Sequence, residues 1–248
     1  MKKILEVDHL SKIYHTKKEE ILALEDINFS IDEGEFISII GPSGCGKSTI
    51  LSILSNLLIP SSGEIHLYPH YKIAYMPQND SLLSFKTVLD NCLLGLKLTN
   101  QLTDKNKQYV LKLLKDYGLE DFIHQYPKNL SGGMRQRCAL IRTLALKPDI
   151  LLLDEAMSSL DYQSRLAIGD DLYQIIKKEG KTAIMVTHDI GEAISMSDRV
   201  IVLTKRPASV KKIYPIEFQN RSTPIQNRND PNFLIYFDEI WRDLDVQL

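Results

Sequence analysis

The run Gly41-Pro42-Ser43-Gly44-Cys45-Gly46-Lys47-Ser48-Thr49 constrains this chain more than any other segment, because its neighbours leave it one architectural place. Before it, Phe36-Ile37-Ser38-Ile39-Ile40 is a nearly continuous apolar run, as a strand buried on both faces of a parallel sheet requires. After it, Ile50-Leu51-Ser52-Ile53-Leu54 continues as a helix. Strand, glycine-rich turn and helix in that order fit the phosphate-binding pattern G-x-x-x-x-G-K-S/T. The glycines let backbone N–H groups turn inward around phosphate oxygens, and the following helix points its positive end at the same charge. Lys47 would reach the β- and γ-phosphates, and the Ser48 hydroxyl would sit on Mg2+. The pattern implies a nucleoside triphosphate as ligand.

The remaining chain is an α/β sequence with a helical interruption. Residues 4–14 and 23–31 read as strands separated by the polar turn Thr16-Lys17-Lys18-Glu19-Glu20, and short strands follow at 64–68 and 72–76. Residues 85–130 differ. Val88, Leu89, Cys92, Leu93, Leu94 and Leu96 form one helical stripe, Val110, Leu111, Leu113, Leu114 and Tyr117 a second, and Gly118 is a stop. From residue 149 strand runs at 150–153, 183–186 and 200–203 return, with a helix over 165–178. The tail predicts a strand around 212–218, a polar loop and a terminal helix capped by Asp230 with Pro231 at its first position. Phe233, Phe237, Ile240, Trp241 and Leu244 would give that helix an apolar face, with Trp241 as its anchor.

Composition removes several classes. A length of 248 residues allows one large domain or two small ones, and a formal charge of −2 provides no basic field, so no nucleic acid is expected as a partner. No apolar run approaches the roughly 18–20 residues that span a bilayer. Glu6 and Asp8 interrupt the apolar stretch near Met1, so no secretory leader is expected. The expected location is the cytosol, or the cytoplasmic face of the cell membrane through partners. Cys45, Cys92 and Cys138 lack metal-ligand or disulfide spacing. Cys45 alone, beside a helix N-terminus, is a candidate for a lowered thiol pKa.

Two further stretches carry chemistry. Ile150-Leu151-Leu152-Leu153-Asp154-Glu155 is an apolar strand ending in two carboxylates. Asp154 would hold Mg2+ directly or through water, and Glu155 would polarise a water in line with the γ-phosphate. In Leu130-Ser131-Gly132-Gly133-Met134-Arg135-Gln136-Arg137, a serine and two glycines open a helix and make a second anion-binding N-terminus. Two γ-phosphate sites of different build on one chain point to a composite site, in which the loop of one subunit closes on the serine-glycine turn of another.

On these residues the chain resembles the nucleotide-binding subunits of ABC transporters over about residues 2–205. The resemblance implies a P-loop NTPase core with a mostly parallel sheet, an N-terminal antiparallel β subdomain and an α-helical insert. It implies an ATPase domain over 1–205, with the insert at about 85–140, and a short extension over 206–248 packing on the core. Tyr14 would stack on adenine and Gln78 would touch Mg2+ and water. Ser159-Leu160-Asp161 would cross a dimer interface, and His188 would contact the γ-phosphate. ATP and Mg2+ are the implied ligands, bound between two such subunits forming a homodimer. Transmembrane permease subunits would dock on the insert and on residues 78–90, and an extracytoplasmic solute-binding protein would act indirectly.

Within that family, Met134-Arg135-Gln136-Arg137 resembles importers more than lipid or drug exporters, and the stretches 81–91 and 197–208 resemble the nitrate/sulfonate/taurine type of importer. Five positions at three places depart from that pattern: Ser84-Phe85 for Pro-Trp, Ala156-Met157 for Pro-Phe, and Ala208 for glycine. The alternatives are a soluble ABC ATPase acting on nucleic acid or iron–sulfur assembly, and an exporter subunit.

Overall fold

The computed structural model describes residues 2–244 apart from Lys18, Pro69 and Ser159. The polar-turn residue Lys18, the interface expectation at Ser159 and the last four residues of the extension therefore lie outside the described residues. In chain order the elements begin with β1 (Lys3–His15), β2 (Glu20–Asp32), β3 (Phe36–Ile40), α1 (Lys47–Leu54), β4 (Ser62–Leu67) and β5 (Ile73–Met76). Then come α2 (Val88–Cys92), α3 (Leu94–Leu98), α4 (Asp104–Asp116), α5 (Gly132–Leu144), β6 (Ile150–Asp154) and α6 (Tyr162–Lys178). The chain closes with β7 (Thr182–Val186), α7 (Ile190–Met196), β8 (Arg199–Leu203), β9 (Val210–Pro215), α8 (Pro224–Asn227) and α9 (Pro231–Asp243).

A six-stranded sheet in the order β5-β6-β7-β3-β8-β9 forms the spine, parallel except for the β8–β9 pair. All five residues of β3, β6 and β7 are buried, as strands covered on both faces must be. Alternation along these strands sends side chains to two different cores. Phe36, Leu151, Leu153 and Met185 face the helical side with α2, α4, α5 and α6. Ile37, Ile39, Leu152 and Ile184 face α1 and the antiparallel sheet β2-β1-β4. Each such fully buried side chain stabilises the fold by roughly 1.5–3 kcal/mol.

Register aligns the strands' carboxyl ends. Ile39 pairs with Val186, Asp154 with Val186, and Ile40 with Val202. The segments leaving β3, β6 and β7 thus emerge side by side, where open α/β sheets bind ligands.

A third core joins α7 and β8 to the tail, where Phe233 and Ile240 of α9 meet Ile40, Ile194 and Val200. Trp241 does not anchor this helix: it is 36% exposed and stacks on Phe237, while Phe233 and Ile240 take the buried positions. The reason is angular, since Trp241 directly follows Ile240 and points about 100° away from it around the helix. The expected strand at 212–218 starts earlier and ends at Pro215, and α8 lies inside the expected polar loop. No helix among the described residues is long and apolar enough to cross a membrane.

Candidate functional site

Helix α1 starts at Gly46 with φ 124° and has no side-chain cap, which leaves its first N–H groups for a ligand. Gly46 is fixed by that angle, and a Cβ there would also press on the movable tip of Leu24, 2.7 Å from Cδ2. Lys47 is 7% exposed, and its ammonium donates to the carbonyls of Gly41 at 2.9 Å and Pro42 at 3.2 Å, so it lies folded along its own loop. The Ser48 hydroxyl donates to Asp154 Oδ1 at 3.0 Å. Thr49 Oγ1 lies 3.2 Å from the Tyr14 hydroxyl, which puts that half-exposed ring beside the loop. Ser43, Gly44, Gly46, Lys47, Ser48, Thr49 and Glu155 line one open cleft of about 240 Å3.

Cys45 is buried and burial pushes its thiol up, with Lys47 opposing more weakly. The expected lowered thiol pKa at the helix start does not occur, because desolvation outweighs the helix end and the nearby cation.

The carboxylates arrive from β6. Asp154, 5% exposed, also accepts the Tyr75 hydroxyl at 2.9 Å, and burial together with that carboxylate raises the phenol well above its ordinary value. Glu155 follows in a left-handed backbone conformation, φ 44°, with its N–H bonded to Val186 O at 2.9 Å. That conformation costs a residue with a Cβ about 1 kcal/mol or more. Glu155 Oε2 gathers two expected partners: Gln78 Nε2 donates to it at 3.1 Å and His188 Nδ1 lies 3.4 Å away. Gln78 also reaches Ser158 Oγ at 3.3 Å.

A hydroxyl and a carboxylate in contact are hard oxygen donors, the chemistry that suits Mg2+ when phosphates and water complete its shell. Among the described residues, no group of three or more histidine, cysteine, aspartate or glutamate side chains could hold a metal. The Ser48 hydroxyl and the Asp154 carboxylate fit an ion whose remaining shell a nucleotide and water supply.

The serine-glycine turn lies elsewhere. Ser131 caps α5 by accepting the Met134 N–H at 3.3 Å. A Cβ at Gly133 would meet the tip of the Ile168 side chain, Cδ1 at 2.5 Å, so any larger residue there must push Ile168 aside. Ser131, Gly132 and Gly133 share a cleft of about 400 Å3 with Leu160 and Asp161. Asp161 caps α6 through the Ser164 N–H at 3.0 Å, and hydrogen bonding to Ser164 holds its carboxyl below the usual range. Among the described residues the two clefts share no lining residue. The structure thus brings Tyr14, the 41–49 loop, Gln78, Asp154, Glu155 and His188 together, and sets Ser131, Gly132, Gly133 and Asp161 apart from them. A link runs between the groups: Arg142 donates to the carbonyls of Ser81 at 2.7 Å and Asp80 at 2.6 Å, and Arg135 pairs with Asp80 at 3.0 Å.

Sequence reading missed Tyr75 and Glu192. A tyrosine inside a short buried strand is itself a signal, because its hydroxyl requires a partner. Glu192, 7% exposed on α7, accepts the Thr187 hydroxyl; burial pushes its carboxyl up to about 7, with that hydrogen bond opposing.

Residues 24–158 match the ABC transporter family. An uncharacterized ABC transporter ATP-binding protein, YtlC of Bacillus subtilis, is 43% identical over 248 residues, covering 97% of this chain and 95% of that protein. The nitrate import ATP-binding protein NrtD of Synechococcus elongatus is 37% identical over 215 residues, 83% of this chain and 78% of its own length. Among solved structures, the dimeric post-hydrolysis state of the ATP-binding cassette MJ0796 bound to ADP and Pi gives a TM-score of 0.72 at 32% identity. The match covers 86% of this chain and 99% of that one.

Proposed function

The chain belongs to the ABC transporter ATP-binding family, and from that premise we propose that it is the energy-coupling subunit of an importer for a small solute of the nitrate/sulfonate/taurine class. It binds ATP with Mg2+ and hydrolyses the nucleotide. The reading assigns the ATPase domain to residues 1–205, with a helical insert at about 85–140, and treats 206–248 as an extension packed on that domain.

The observation that carries the mechanism is the pair of separate clefts, one around Lys47 and one around Ser131. Each lacks what the other has, so two chains facing each other would complete two sites. Residues Gly41 to Thr49 would cradle the phosphates with backbone N–H groups, and Lys47 would meet the β- and γ-phosphates. Tyr14 would stack on adenine. Ser48, Asp154 and Gln78 would hold Mg2+, which when bound offsets charge on the phosphate oxygens. Glu155 would take the proton side of an attacking water, with His188 orienting the γ-phosphate and, through the 3.4 Å approach, the carboxylate. Ser131, Gly132, Gly133 and Asp161 of a second copy would close the far side of the γ-phosphate. The products are ADP and phosphate, whose charge repulsion would reopen the pair.

Closure would move the α2–α5 insert and the 78–90 segment, which would receive the cytoplasmic helix of a membrane permease. The chain would then sit peripherally on the cytoplasmic face of the membrane, with an extracytoplasmic solute-binding protein upstream. Its similarity to a nitrate import protein supports the solute class. Two experiments test this reading. Glu155→Gln should form an ATP-dependent dimer by light scattering, and adding Ser131→Arg should abolish the dimer without weakening nucleotide binding to the single chain. A dimer that survives the second change would overturn the composite site. Purification from native membranes in mild detergent should recover a multi-span permease and a solute-binding protein; a permease without a binder would reject import.

A further inference from the structure

Behind His188 lies a buried charge cluster that the hydrolysis scheme leaves unused. Thr187 is held from three directions: its N–H reaches Ile39 O at 3.3 Å, its hydroxyl donates to Glu192 Oε2, and the same oxygen accepts the Asp189 N–H at 3.1 Å. Asp189 in turn caps α7 by accepting the Glu192 N–H at 2.9 Å. The peptide that carries His188 is therefore clamped on both sides by the Thr187–Glu192–Asp189 set.

The deeply buried Glu192 carboxyl, with half-buried Asp189 beside it, requires a cation. Arg165 is one, and it is already engaged with Asp189 Oδ2 at 3.4 Å and with the Leu160 carbonyl at 3.2 Å. The other is Arg228, directly after α8 in the C-terminal segment. Its guanidinium packs on Gly191 so closely that a Cβ there would lie 2.7 Å from Nη1, and it sits 5.7 Å over the Phe233 ring. Both arginines attract the Glu192 carboxylate. Glu192 Oε1, Arg165 Nε and Arg228 Nε are buried without a hydrogen-bond partner among the described residues, and all three residues line one small cavity. The segment is fastened from neighbouring points: Asn227 Nδ2 donates to Ser195 O at 2.8 Å, and the Ile225 N–H to Asp170 Oδ1 at 3.1 Å.

We propose that Arg228 is a positioning residue for hydrolysis: together with Arg165 it balances the Glu192 carboxylate, which holds Thr187 and so sets the backbone that presents His188 to Glu155. This rests on the role given to His188 above. Without Arg228, Asp189 and Glu192 are left with Arg165 alone, and Glu192 keeps its proton to still higher pH than the value near 7 that it has with both arginines in place. A carboxyl that stays protonated carries an O–H that must find an acceptor of its own and can turn that O–H toward Thr187, whereas the ionised form only accepts. The C-terminal segment then becomes a working part of the ATPase.

The test uses the full chain, with steady-state ATPase rates, binding of a fluorescent ATP analogue, and NMR of the His188 imidazole. Arg228→Met should lower kcat about tenfold with analogue binding unchanged, and should shift the His188 ring resonances. Arg228→Lys should restore most of the rate. Arg228→Met/Glu192→Gln should be faster than Arg228→Met, because a neutral amide accepts from Thr187 without needing a cation. A double variant no faster than the single, or Arg228→Met with normal kcat and unshifted His188 signals, overturns the proposal. Should Arg228→Met fail to fold, a folded and active double variant supports it, and an unfolded one reduces Arg228 to packing. His188→Ala separates the two readings: full turnover there rejects the role of His188, whereas slow His188→Ala beside normal Arg228→Met rejects Arg228 alone.

Discussion

The cleft around Lys47 and the cleft around Ser131 are built on opposite plans. Helix α1 enters the 41–49 cleft uncapped, whereas α5 enters the other with its own Ser131 already bonded to Met134 N–H. The first cleft collects a cation, two carboxylates, an amide and an imidazole. The second offers a hydroxyl, glycine backbone and Asp161, and its arginine, Arg137, is paired with Asp171 at 2.6 Å. On the function proposed above, binding and bond cleavage would belong to one surface, and the other would contribute shape, a hydroxyl, glycine N–H groups and the Asp161 carboxylate. In the proposed composite site, a surface of the second kind would add nothing to nucleotide binding by a single chain and would matter only with a second copy in place.

Lesions in the two clefts should therefore differ in kind. Glu155→Gln should have the largest effect, lowering phosphate release by about 100- to 1000-fold while a fluorescent nucleotide still binds. Full turnover there would remove the asymmetry altogether. Lys47→Ala should weaken nucleotide affinity by about 10- to 100-fold, measurable by titration, since a charge-assisted bond to phosphate is lost. Gly133→Val, which drives a side chain into Ile168, should cut turnover about tenfold and leave single-chain affinity unchanged. Weakened binding in that variant would mean the second cleft serves its own chain.

The smallest effect should lie at the seam behind both clefts. Glu192 holds its proton to about 7 when folded against an ordinary value of 4.5, so the folded state binds more protons between those limits. Stability should fall as pH rises through that window and stay lower above it. Glu192→Gln cannot ionise, and its melting temperature relative to wild type should rise from pH 5 to pH 8. A constant difference would show that the carboxyl is not shifted.

What could be read from the chain was local. Phe36 to Ile40 and the glycines after it announce a strand, a turn and a helix within a few residues, and the carboxylates of Asp154 and Glu155 directly follow their strand. The hidden contacts join distant residues: Tyr75 reaches Asp154 across 79 positions, and Arg228 meets Gly191 from another segment. Nothing in the vicinity of Tyr75 or Arg228 names the partner, because sheet order and tail path decide it. Trp241 misled for a related reason, since its size marks it as a core residue while its angular position turns it outward. The short α8 was concealed by the Asn, Arg and Pro composition that surrounds it.

The left-handed backbone at Glu155 sets endurance against activity. With the role proposed for Glu155, glycine would relax that turn and remove the carboxylate in one step, giving a protein that melts later and hydrolyses ATP far more slowly. Selection for heat resistance alone would drift toward that slow variant, and a thermal-shift screen would score it as an improvement.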